Sequence, residues 1–257
     1  MTKIAMWSGP RSISTALMRS FENRPDTFVT DEPFYAHYLQ KTRIDHPLRE
    51  EVIACSNTDW NSVSHEITGS IPEGKEIWYQ KHMTQHNLPR KNLKWVKKMQ
   101  NCLLIRHPQE VILSYSKKYE ITSIFQLGYP QQIELFTMLT DMGIPPHILD
   151  ARDVLKNPDQ MLKQLCKLLN IPFYNEMLSW PGGKRKSDGI WGRHWYGSVE
   201  ASTGFHSYVD KKANLPSKYQ DIYTVCLESY KQLYSHRIKR YSNNTDKIII
   251  QNIKQEM

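Results

Sequence analysis

The sequence lacks long apolar runs and cysteine pairs. No stretch of its 257 residues approaches the roughly 20 apolar residues of a transmembrane helix, and the N-terminus shows no extended apolar segment before a small-residue cleavage site. We therefore expect a cytoplasmic protein without a membrane partner. The cysteines are widely spaced and form no Cys-x-x-Cys pair, which favours reduced thiols over a disulfide framework or a zinc site. They are Cys55, Cys102, Cys166 and Cys226.

Repeats, low-complexity blocks and Gly/Ser linkers are also lacking, and no His, Asp or Glu cluster shows the spacing of metal ligands. We expect a single domain over residues 1–236 that requires no metal. A polar tail over 237–257 follows, and the sequence assigns it no role. Hydrophobic residues at 39% and charged residues at 23% are typical of a globular chain.

The formal net charge of +8 favours an anionic ligand: nucleic acid, anionic lipid or a phosphorylated small molecule. No recognised DNA- or RNA-binding module is visible, and the positive charge concentrates in the loops described below. We therefore predict no nucleic-acid partner. A non-catalytic nucleic-acid-binding protein is kept as one alternative.

Short β-prone runs alternate with segments of helical periodicity. Helices are predicted over 14–21, 159–169 and 216–233. Strands are predicted at 3–7, 28–30, 77–79, 102–105 and 147–149. This alternation predicts the α/β class, with a parallel β-sheet wrapped by helices on both faces. The ligand crevice of such a sheet lies beyond the carboxyl ends of its strands, so the chemistry is expected in the loops that follow the first four strands.

The loop over residues 8–15, between the first strand and the first helix, has the character of a phosphate cradle. Backbone N–H groups at a helix start present several donors to one anion, and Arg11 adds a positive charge. The other candidate contacts in this loop are Ser12, Ile13, Ser14 and Thr15. The alternative is that a serine merely caps the helix while Gly9-Pro10 makes a turn. The loop lacks the lysine of a Walker A motif.

A second candidate site combines Arg106, at the end of the fourth strand, with Ser114 on the helix that Pro108 opens. Helical side chains lean towards the helix N-terminus, so both side chains can reach one phosphate. The alternative is an ion-paired Arg106 and a Ser114 hydroxyl bonded to its own backbone.

Both motifs resemble those of sulfotransferases. Residues 10–15 are similar to the 5′-phosphosulfate loop Pro-Lys-Ser-Gly-Thr-Thr, with Arg11 in place of lysine and Ile13 in place of glycine. The Arg106–Ser114 spacing matches the 3′-phosphate site of that family, and 150–172 is similar to a further family stretch. The resemblance spans roughly residues 1–205. It implies a P-loop-like sulfotransferase fold, 3′-phosphoadenosine-5′-phosphosulfate (PAPS) as donor and the bisphosphate PAP as product.

The residues after the second and third strands are candidates for the catalytic groups. Glu32-Pro33 resembles the Glu-Pro context in which some sulfotransferases place their base, the alternative being that Asp31 or Glu32 caps the next helix. Lys81-His82 is loosely similar to a Lys-x-His segment of the cytosolic enzymes. Because neighbouring strand residues point to opposite faces, only one of these two is expected to face the crevice. We expect Lys81 to contact the transferring group and Glu32 to be the base, with His82 as the runner-up.

Residues 179–205 are rich in Gly, Trp, Lys and Arg with weak periodicity, which predicts a long functional loop. They occupy the place of the C-terminal Gly-x-x-Gly loop that closes over the nucleotide in sulfotransferases. The resemblance implies basic contacts to the 3′-phosphate and a tryptophan stacked on adenine, the alternative being a flexible basic loop. The candidates are Lys184, Arg185, Lys186, Trp191 and Arg193, with Trp195 as the alternative to Trp191.

Together these motifs predict in-line transfer of a sulfuryl group from PAPS to the alcohol hydroxyl of a small-molecule acceptor. The segment 31–35 is also similar to sulfotransferases of cyanobacterial alkaloid-toxin pathways such as cylindrospermopsin and saxitoxin, which would imply a guanidino alkaloid as acceptor. The other alternative is a P-loop kinase or nucleotidase that uses ATP and magnesium. That class requires a P-loop lysine and an acidic strand end, whereas the fourth strand ends in Arg106.

Overall fold

The computed structural model describes residues 1–88, 93–210 and 214–239. Its centre is a five-stranded sheet in the order β2-β3-β1-β4-β5, in which every paired strand is parallel. The strands are β1 (Thr2–Ser8), β2 (Thr27–Asp31), β3 (Ile77–Met83), β4 (Gln100–Ile105) and β5 (His147–Asp150). Each predicted strand lies inside an observed one, so the predicted parallel sheet is confirmed.

Eleven α-helices connect and flank these strands within the described ranges. They are α1 (Ser14–Glu22), α2 (Tyr35–Thr42), α3 (Arg49–Cys55), α4 (Trp60–Glu66), α5 (Pro108–Tyr115), α6 (Tyr129–Asp141), α7 (Ala151–Lys156), α8 (Pro158–Leu168), α9 (Gly192–Trp195), α10 (Gly197–Glu200) and α11 (Gln220–Ser235). Short 3-10 turns lie at Pro72–Gly74, Thr84–His86, Lys94–Lys98, Ile124–Leu127, Asn175–Leu178 and Ser217–Tyr219.

The sheet has an apolar core on each face because alternate strand residues point to opposite sides. Ala5 and Trp7 of β1 pack on one side, in a cluster that draws on α4, α5, α6 and α11. Ile4 and Met6 pack on the other side, with residues of α1, α7 and α8. The helices therefore cover both faces, as predicted.

The helix predictions succeed where capping and periodicity are strong. Helix α8 begins at Pro158, and the Asn157 side chain accepts a hydrogen bond from Gln160 N, as an N-cap does. The closing helix α11 begins at Gln220, later than predicted, because Ser217–Tyr219 forms a 3-10 turn first. The segment 179–205 contains the short helices α9 and α10 inside the predicted loop.

The first residues of the tail contact the edge of the sheet. Ile238 N donates to Ile148 O at 2.8 Å, and the Arg237 guanidinium lies 2.9 Å from the Asp153 carboxylate. Residues 240–257 lie outside the described residues.

All four cysteines are free. Throughout the described part of the chain, no helix combines the length and the apolar character needed to cross a bilayer.

Candidate functional site

A cavity of about 560 Å³ opens beyond the carboxyl ends of the strands. Its walls include residues from the loops that follow β1, β2, β3 and β4, which is the position expected for the crevice of a parallel sheet. The sequence-predicted residues that line it are Arg11, Ser12, Ile13, Ser14, Thr15, Glu32, Lys81, Arg106 and Ser114. The structure thus brings together nine candidates drawn from four separate segments of the chain.

The loop after β1 presents the N-terminus of α1 to this cavity. The N-cap position is Ile13, and no side chain caps the helix. Ser12 instead donates its hydroxyl to Pro10 O at 3.3 Å, so the alternative in which a serine caps α1 does not hold. The backbone N–H groups of the first turn are therefore left to other acceptors, and the helix dipole favours an anion there.

Two residues of this loop adopt a backbone conformation that favours glycine. Arg11 and Ile13 both have φ of 59°. A left-handed conformation is costly for a β-branched residue and persists only where its surroundings impose it. Ile13 occupies the position of the glycine in the sulfotransferase loop, so its backbone keeps the conformation expected at that position although the residue differs.

The turn that precedes α1 is held by a close backbone approach. A Cβ atom on Gly9 would lie 2.5 Å from Leu127 O, and one on Gly128, where φ is +79°, would lie 2.8 Å from the Thr84 hydroxyl. Only glycine fits both positions without movement of the neighbouring backbone or side chains. This contact fixes the loop over residues 8–15 against the segment that leads into α6.

The two predicted phosphate sites are joined to each other. Arg11 Nε donates to Ser114 Oγ at 3.0 Å, and Arg106 Nη1 donates to Arg11 O at 2.7 Å. Burial, together with the charge of Arg106, lowers the pKa of Arg11. Two cationic side chains converge beside an uncapped helix start, and this arrangement favours binding of an anion. Ser114 here contacts Arg11, which differs from the alternative of a bond to its own backbone.

Glu110 is a functional candidate that the sequence did not indicate. Its carboxylate accepts from Arg106 Nε at 2.9 Å, from Arg152 at 3.2 Å and from the Tyr208 hydroxyl at 3.1 Å. These contacts lower the pKa of Glu110 against the opposing effect of burial. The carboxylate lines the cavity and orients Arg106 towards it.

The opposite end of the cavity contains a buried network of charges around Lys81. Its ammonium group donates to Asp31 Oδ1 at 2.8 Å, to Glu32 Oε1 and to the Tyr196 hydroxyl at 2.8 Å. The Tyr196 hydroxyl in turn donates to Asp31 Oδ2 at 2.7 Å. The N-cap of α2 is Phe34 without a side-chain cap, so Asp31 and Glu32 are placed for this network and not for helix capping.

The electrostatics of this network suit a base. Burial raises the pKa of Glu32, while the charge and hydrogen bond of Lys81 act in the opposite direction. The carboxylates of Asp31 and Glu32 raise the pKa of Lys81 well above its ordinary value and outweigh its own burial. Lys81 is therefore a cation, and Glu32 holds a proton more readily than an exposed glutamate does.

His82 lies on the other face of β3 from Lys81. Its ring stacks on Trp7 with centroids 4.3 Å apart, Nε2 lies 3.2 Å from Gln80 Oε1, and the residue is 2% exposed. Burial and the charge of Lys81 lower the pKa of His82 to about 3. The described cavity lining does not include it. The alternation along β3 thus directs Lys81, and not His82, into the cavity.

Another histidine, His86, occupies the position beside the carboxylate. It follows β3 on the 3-10 turn Thr84–His86, lines the cavity, and places Nε2 3.9 Å from Glu32 Oε2. The side chains that continue this wall are aromatic, and of these only Trp195 was indicated by the sequence. They are Tyr35, His46, Tyr115, Trp195 and Tyr196.

The predicted nucleotide contacts on the C-terminal loop lie elsewhere. Lys184 and Lys186 are exposed, Arg185 is 3.8 Å from Glu22, and Arg193 pairs with Glu51 on the surface. Trp191 is buried and donates to the Tyr196 hydroxyl at 3.2 Å. None of these five is among the described residues of the cavity wall. A later stretch of the chain lines the cavity instead of these five residues. It includes Gly204, Phe205, His206, Ser207, Tyr208 and Val209.

Residues at the Arg11–Arg106 end fit a donor with two anionic groups. The uncapped start of α1, Arg11 and Arg106 together offer donors to more than one anionic group, and the Ser114 hydroxyl contacts Arg11. In the described ranges, no group of three or more His, Cys, Asp or Glu side chains is arranged to hold a metal ion.

The fold and this cavity define an α/β protein with a crevice at the carboxyl edge of its sheet, lined by Arg11 and Arg106. Comparison with known proteins identifies the family: residues 2–236 match the sulfotransferase domain, and the chain belongs to that family.

Two curated relatives come from Arabidopsis thaliana. Branched-chain-amino-acid aminotransferase-like proteins 2 and 1 are 34% and 35% identical to the chain over 236 residues, which is 92% and 91% of the chain. The match covers 42% of each relative, so the chain spans less than half of their length.

Solved structures share the fold at low sequence identity. The sulfotransferase from Alicyclobacillus acidocaldarius superposes with a TM-score of 0.53 at 8% identity, covering 93% of this chain and 97% of that one. The sulfotransferase domain of the Synechococcus PCC 7002 olefin synthase gives a TM-score of 0.50 at 16% identity, covering 90% of this chain and 94% of that one. The predicted sulfotransferase fold is confirmed.

Proposed function

We propose that this protein transfers a sulfuryl group from PAPS to the hydroxyl of a small-molecule acceptor. The observation that carries the proposal is the junction of Arg11 and Arg106 beside the uncapped start of α1: the Arg106 guanidinium donates to Arg11 O, and its charge helps to lower the pKa of Arg11. The buried base candidate Glu32 lines the same cavity. Anion binding and proton removal are the two functions that sulfuryl transfer requires of the protein.

The cationic end binds the donor in this proposal. Arg106 and Ser114 hold the 3′-phosphate, while Arg11 and the first-turn N–H groups of α1 hold the 5′-phosphosulfate. PAPS supplies the sulfuryl group and leaves as PAP. Arg11 and Lys81 stabilise the negative charge on the transferring group and on the leaving oxygen. Fixed donors in a site with little water stabilise such charge far more than mobile solvent does.

Glu32 removes the acceptor proton in this mechanism. Burial raises its pKa towards the range in which a carboxylate is an effective general base, and Lys81 keeps one carboxylate oxygen in place. Oε2 is left to face the acceptor.

The cytoplasmic location and the absence of a nucleic-acid or membrane partner stay predictions.

The acceptor that the cavity favours is a compact, neutral alcohol. A volume of about 560 Å³ must hold donor and acceptor together, and the wall next to Glu32 is aromatic. A guanidino alkaloid needs a carboxylate in addition to the base. Asp31 is bonded to Lys81 through Oδ1 and to Tyr196 through Oδ2, so it has little capacity left for a ligand cation. The guanidino alcohol is therefore retained as one member of the test panel.

The experiment is to follow PAP formation from PAPS by mass spectrometry, in the presence of a chelator, with one acceptor at a time. The panel contains aliphatic alcohols, benzyl alcohol, a guanidino alcohol, 4-nitrophenol, a tyrosine peptide and heparan fragments. We expect a sulfated product from a small alcohol, and none from the peptide or the heparan fragments.

Two results would contradict the proposal. Phosphate transfer from ATP that requires magnesium would support the kinase alternative. Tight nucleic-acid binding with a steep dependence on salt, and no turnover of PAPS, would support the binding-protein alternative.

A further inference from the structure

His86 is held rigidly at the wall of the cavity. Its ring stacks between Tyr35, at a centroid distance of 4.9 Å, and Tyr38, at 4.8 Å, and the residue is 3% exposed. Nε2 faces the Glu32 carboxylate at 3.9 Å, a separation too long for a direct hydrogen bond. The two side chains therefore face each other across a narrow gap in the cavity wall.

The other ring nitrogen of His86 shows where the proton resides. Nδ1 is buried and has no hydrogen-bond partner in the described part of the chain. A neutral imidazole carries its proton on one nitrogen only, and a buried N–H without an acceptor is rarer than a bare lone pair. The proton is therefore on Nε2, which faces the gap. Burial and the neighbouring cation Lys81 lower the pKa of His86, which keeps the ring neutral.

We propose, on the basis of the proposed function, that the acceptor hydroxyl binds between Glu32 Oε2 and His86 Nε2. The hydroxyl donates its hydrogen to Glu32 and accepts a hydrogen bond from the Nε2–H group of His86. At an oxygen about 2.8 Å from each of these atoms, the directions to Oε2 and Nε2 form an angle of about 90°. One hydroxyl can make both hydrogen bonds at that angle. His86 is then an acceptor-binding residue, and Glu32 is the base.

This arrangement leaves the acceptor oxygen with one lone pair for the sulfur. As the new oxygen–sulfur bond forms, the bond from sulfur to the bridging oxygen of the donor breaks, and the hydroxyl proton passes to Glu32. His86 keeps its proton throughout. The Nε2–H group orients the oxygen, and two fixed contacts are more restrictive than one.

The variants that test this role differ in the donor they retain. His86→Gln keeps an N–H group near the position of Nε2, whereas His86→Phe keeps the flat ring between the two tyrosines and removes the donor. His37 offers a matched control. It is 2% exposed, and its Nδ1 lies 2.7 Å from Thr58 O, outside the described cavity wall. His37→Gln and His37→Phe report the effect of replacing a buried histidine.

Three measurements are made on the full chain. Nitrogen NMR of histidine-labelled protein, with His86 assigned by comparison with His86→Gln, gives the tautomer. Binding of PAP reports the donor site. Turnover of PAPS is measured with ethanol, benzyl alcohol and 4-nitrophenol, and the fastest is used for the variants. We expect a neutral His86 with its proton on Nε2 and PAP affinity unchanged in both variants. Turnover should stay within about threefold in His86→Gln and fall about 10- to 100-fold in His86→Phe.

The outcomes separate this inference from the proposed function. A proton on Nδ1, a charged ring, or equal turnover in His86→Phe and wild type would overturn the role of His86. An equal loss in His86→Gln, His86→Phe and the His37 pair would also overturn it, since the effect would then be structural. Failure of the wild type to bind PAP would overturn the proposed function. If PAP binds but none of the three hydroxyl acceptors reacts, the tautomer of His86 decides the inference.

Discussion

Lys81 Nζ lies 2.8 Å from Asp31 Oδ1, between side chains that are only 2% and 1% exposed. The two residues are direct partners in the register of the neighbouring strands β2 and β3, so the sheet itself sets their separation. This ion pair, together with the Tyr196 hydroxyl, holds the ammonium group at the cavity wall. The position of this cation thus depends on strand pairing and not on a flexible loop.

The first prediction concerns the stability that this pair provides. Asp31→Asn removes one of the two carboxylates paired with the buried Lys81, and we expect a loss of about 2 to 3 kcal/mol, near the lower limit for breaking a buried pair because Glu32 still pairs with the cation. Asp159→Asn is the control, since its pair with Lys163 has the same 2.8 Å separation but is about half exposed. We expect Asp159→Asn to lower the free energy of unfolding by less than about 1 kcal/mol. Urea unfolding measures both, and equal losses would contradict the prediction.

The second prediction distinguishes the base. Glu32→Gln should leave PAP binding nearly intact and lower turnover by about 10² to 10⁴, the range for the loss of a general base. Because burial raises the pKa of Glu32, the wild-type rate should fall with decreasing pH above the ordinary glutamate pKa of about 4.3. That fall should be absent in the variant. If replacing His82 abolishes turnover and Glu32→Gln does not, the assignment of the base is reversed.

The third prediction concerns acid stability. The pKa of His82 is lowered to about 3 in the folded protein, whereas an unfolded histidine titrates near about 6.5. Between these values only the unfolded chain binds this proton. The contribution of His82 to the free energy of unfolding is therefore fully present above about pH 6.5. It is lost as the pH falls towards about 3, at about 1.4 kcal/mol per pH unit.

Replacing this histidine should flatten the pH dependence of the free energy of unfolding. In His82→Gln we expect a slope smaller by about 1.4 kcal/mol per pH unit across the acid range, measured by urea unfolding at a series of pH values. The slope is compared, and not the absolute stability, because the substitution also removes the stack on Trp7. An unchanged slope would mean that His82 is protonated in the folded state.

The fourth prediction uses the close backbone contact at the first loop. Gly9→Ala forces a Cβ atom to within 2.5 Å of Leu127 O, so the loop or the segment before α6 must move. Overpacking of this kind costs about 1 to 3 kcal/mol. Gly197→Ala is the control, because nothing lies within 4 Å of a Cβ there. Thermal unfolding should show a loss for Gly9→Ala alone, and similar behaviour of the two variants would contradict the packing argument.

The sequence predicted the strands and two of the loops that line the cavity because their signals are local. Short apolar runs that end at turn residues identify strands, and the short stretch from Arg106 to Ser114 runs from the end of β4 into α5. The alternation of side chains along a strand also predicted that only one of Lys81 and His82 faces the cavity.

The contacts that the sequence did not predict are long-range. The Lys81–Tyr196 hydrogen bond joins residues 115 positions apart, and the Tyr208–Glu110 bond joins residues 98 apart. No periodicity encodes such pairs. The resemblance to the sulfotransferase C-terminal loop pointed to Trp191 or Trp195, and the structure packs Trp191 against Tyr35 and Tyr196 while Trp195 lines the cavity. Which aromatic residues of a Trp-rich loop reach the cavity depends on the tertiary fold.

The central claim is that the junction of Arg11 and Arg106 binds a 3′-phosphorylated nucleotide, and calorimetric titration with PAP in the presence of a chelator tests it most directly. A control variant is Arg152→Ala, which removes the other guanidinium on Glu110 outside the described cavity wall. We expect PAP to bind more tightly than ATP or AMP, with affinity about 10- to 100-fold lower in Arg106→Ala and nearly unchanged in Arg152→Ala. Equal binding of PAP and ATP, or an Arg106→Ala variant with wild-type affinity, would contradict the claim.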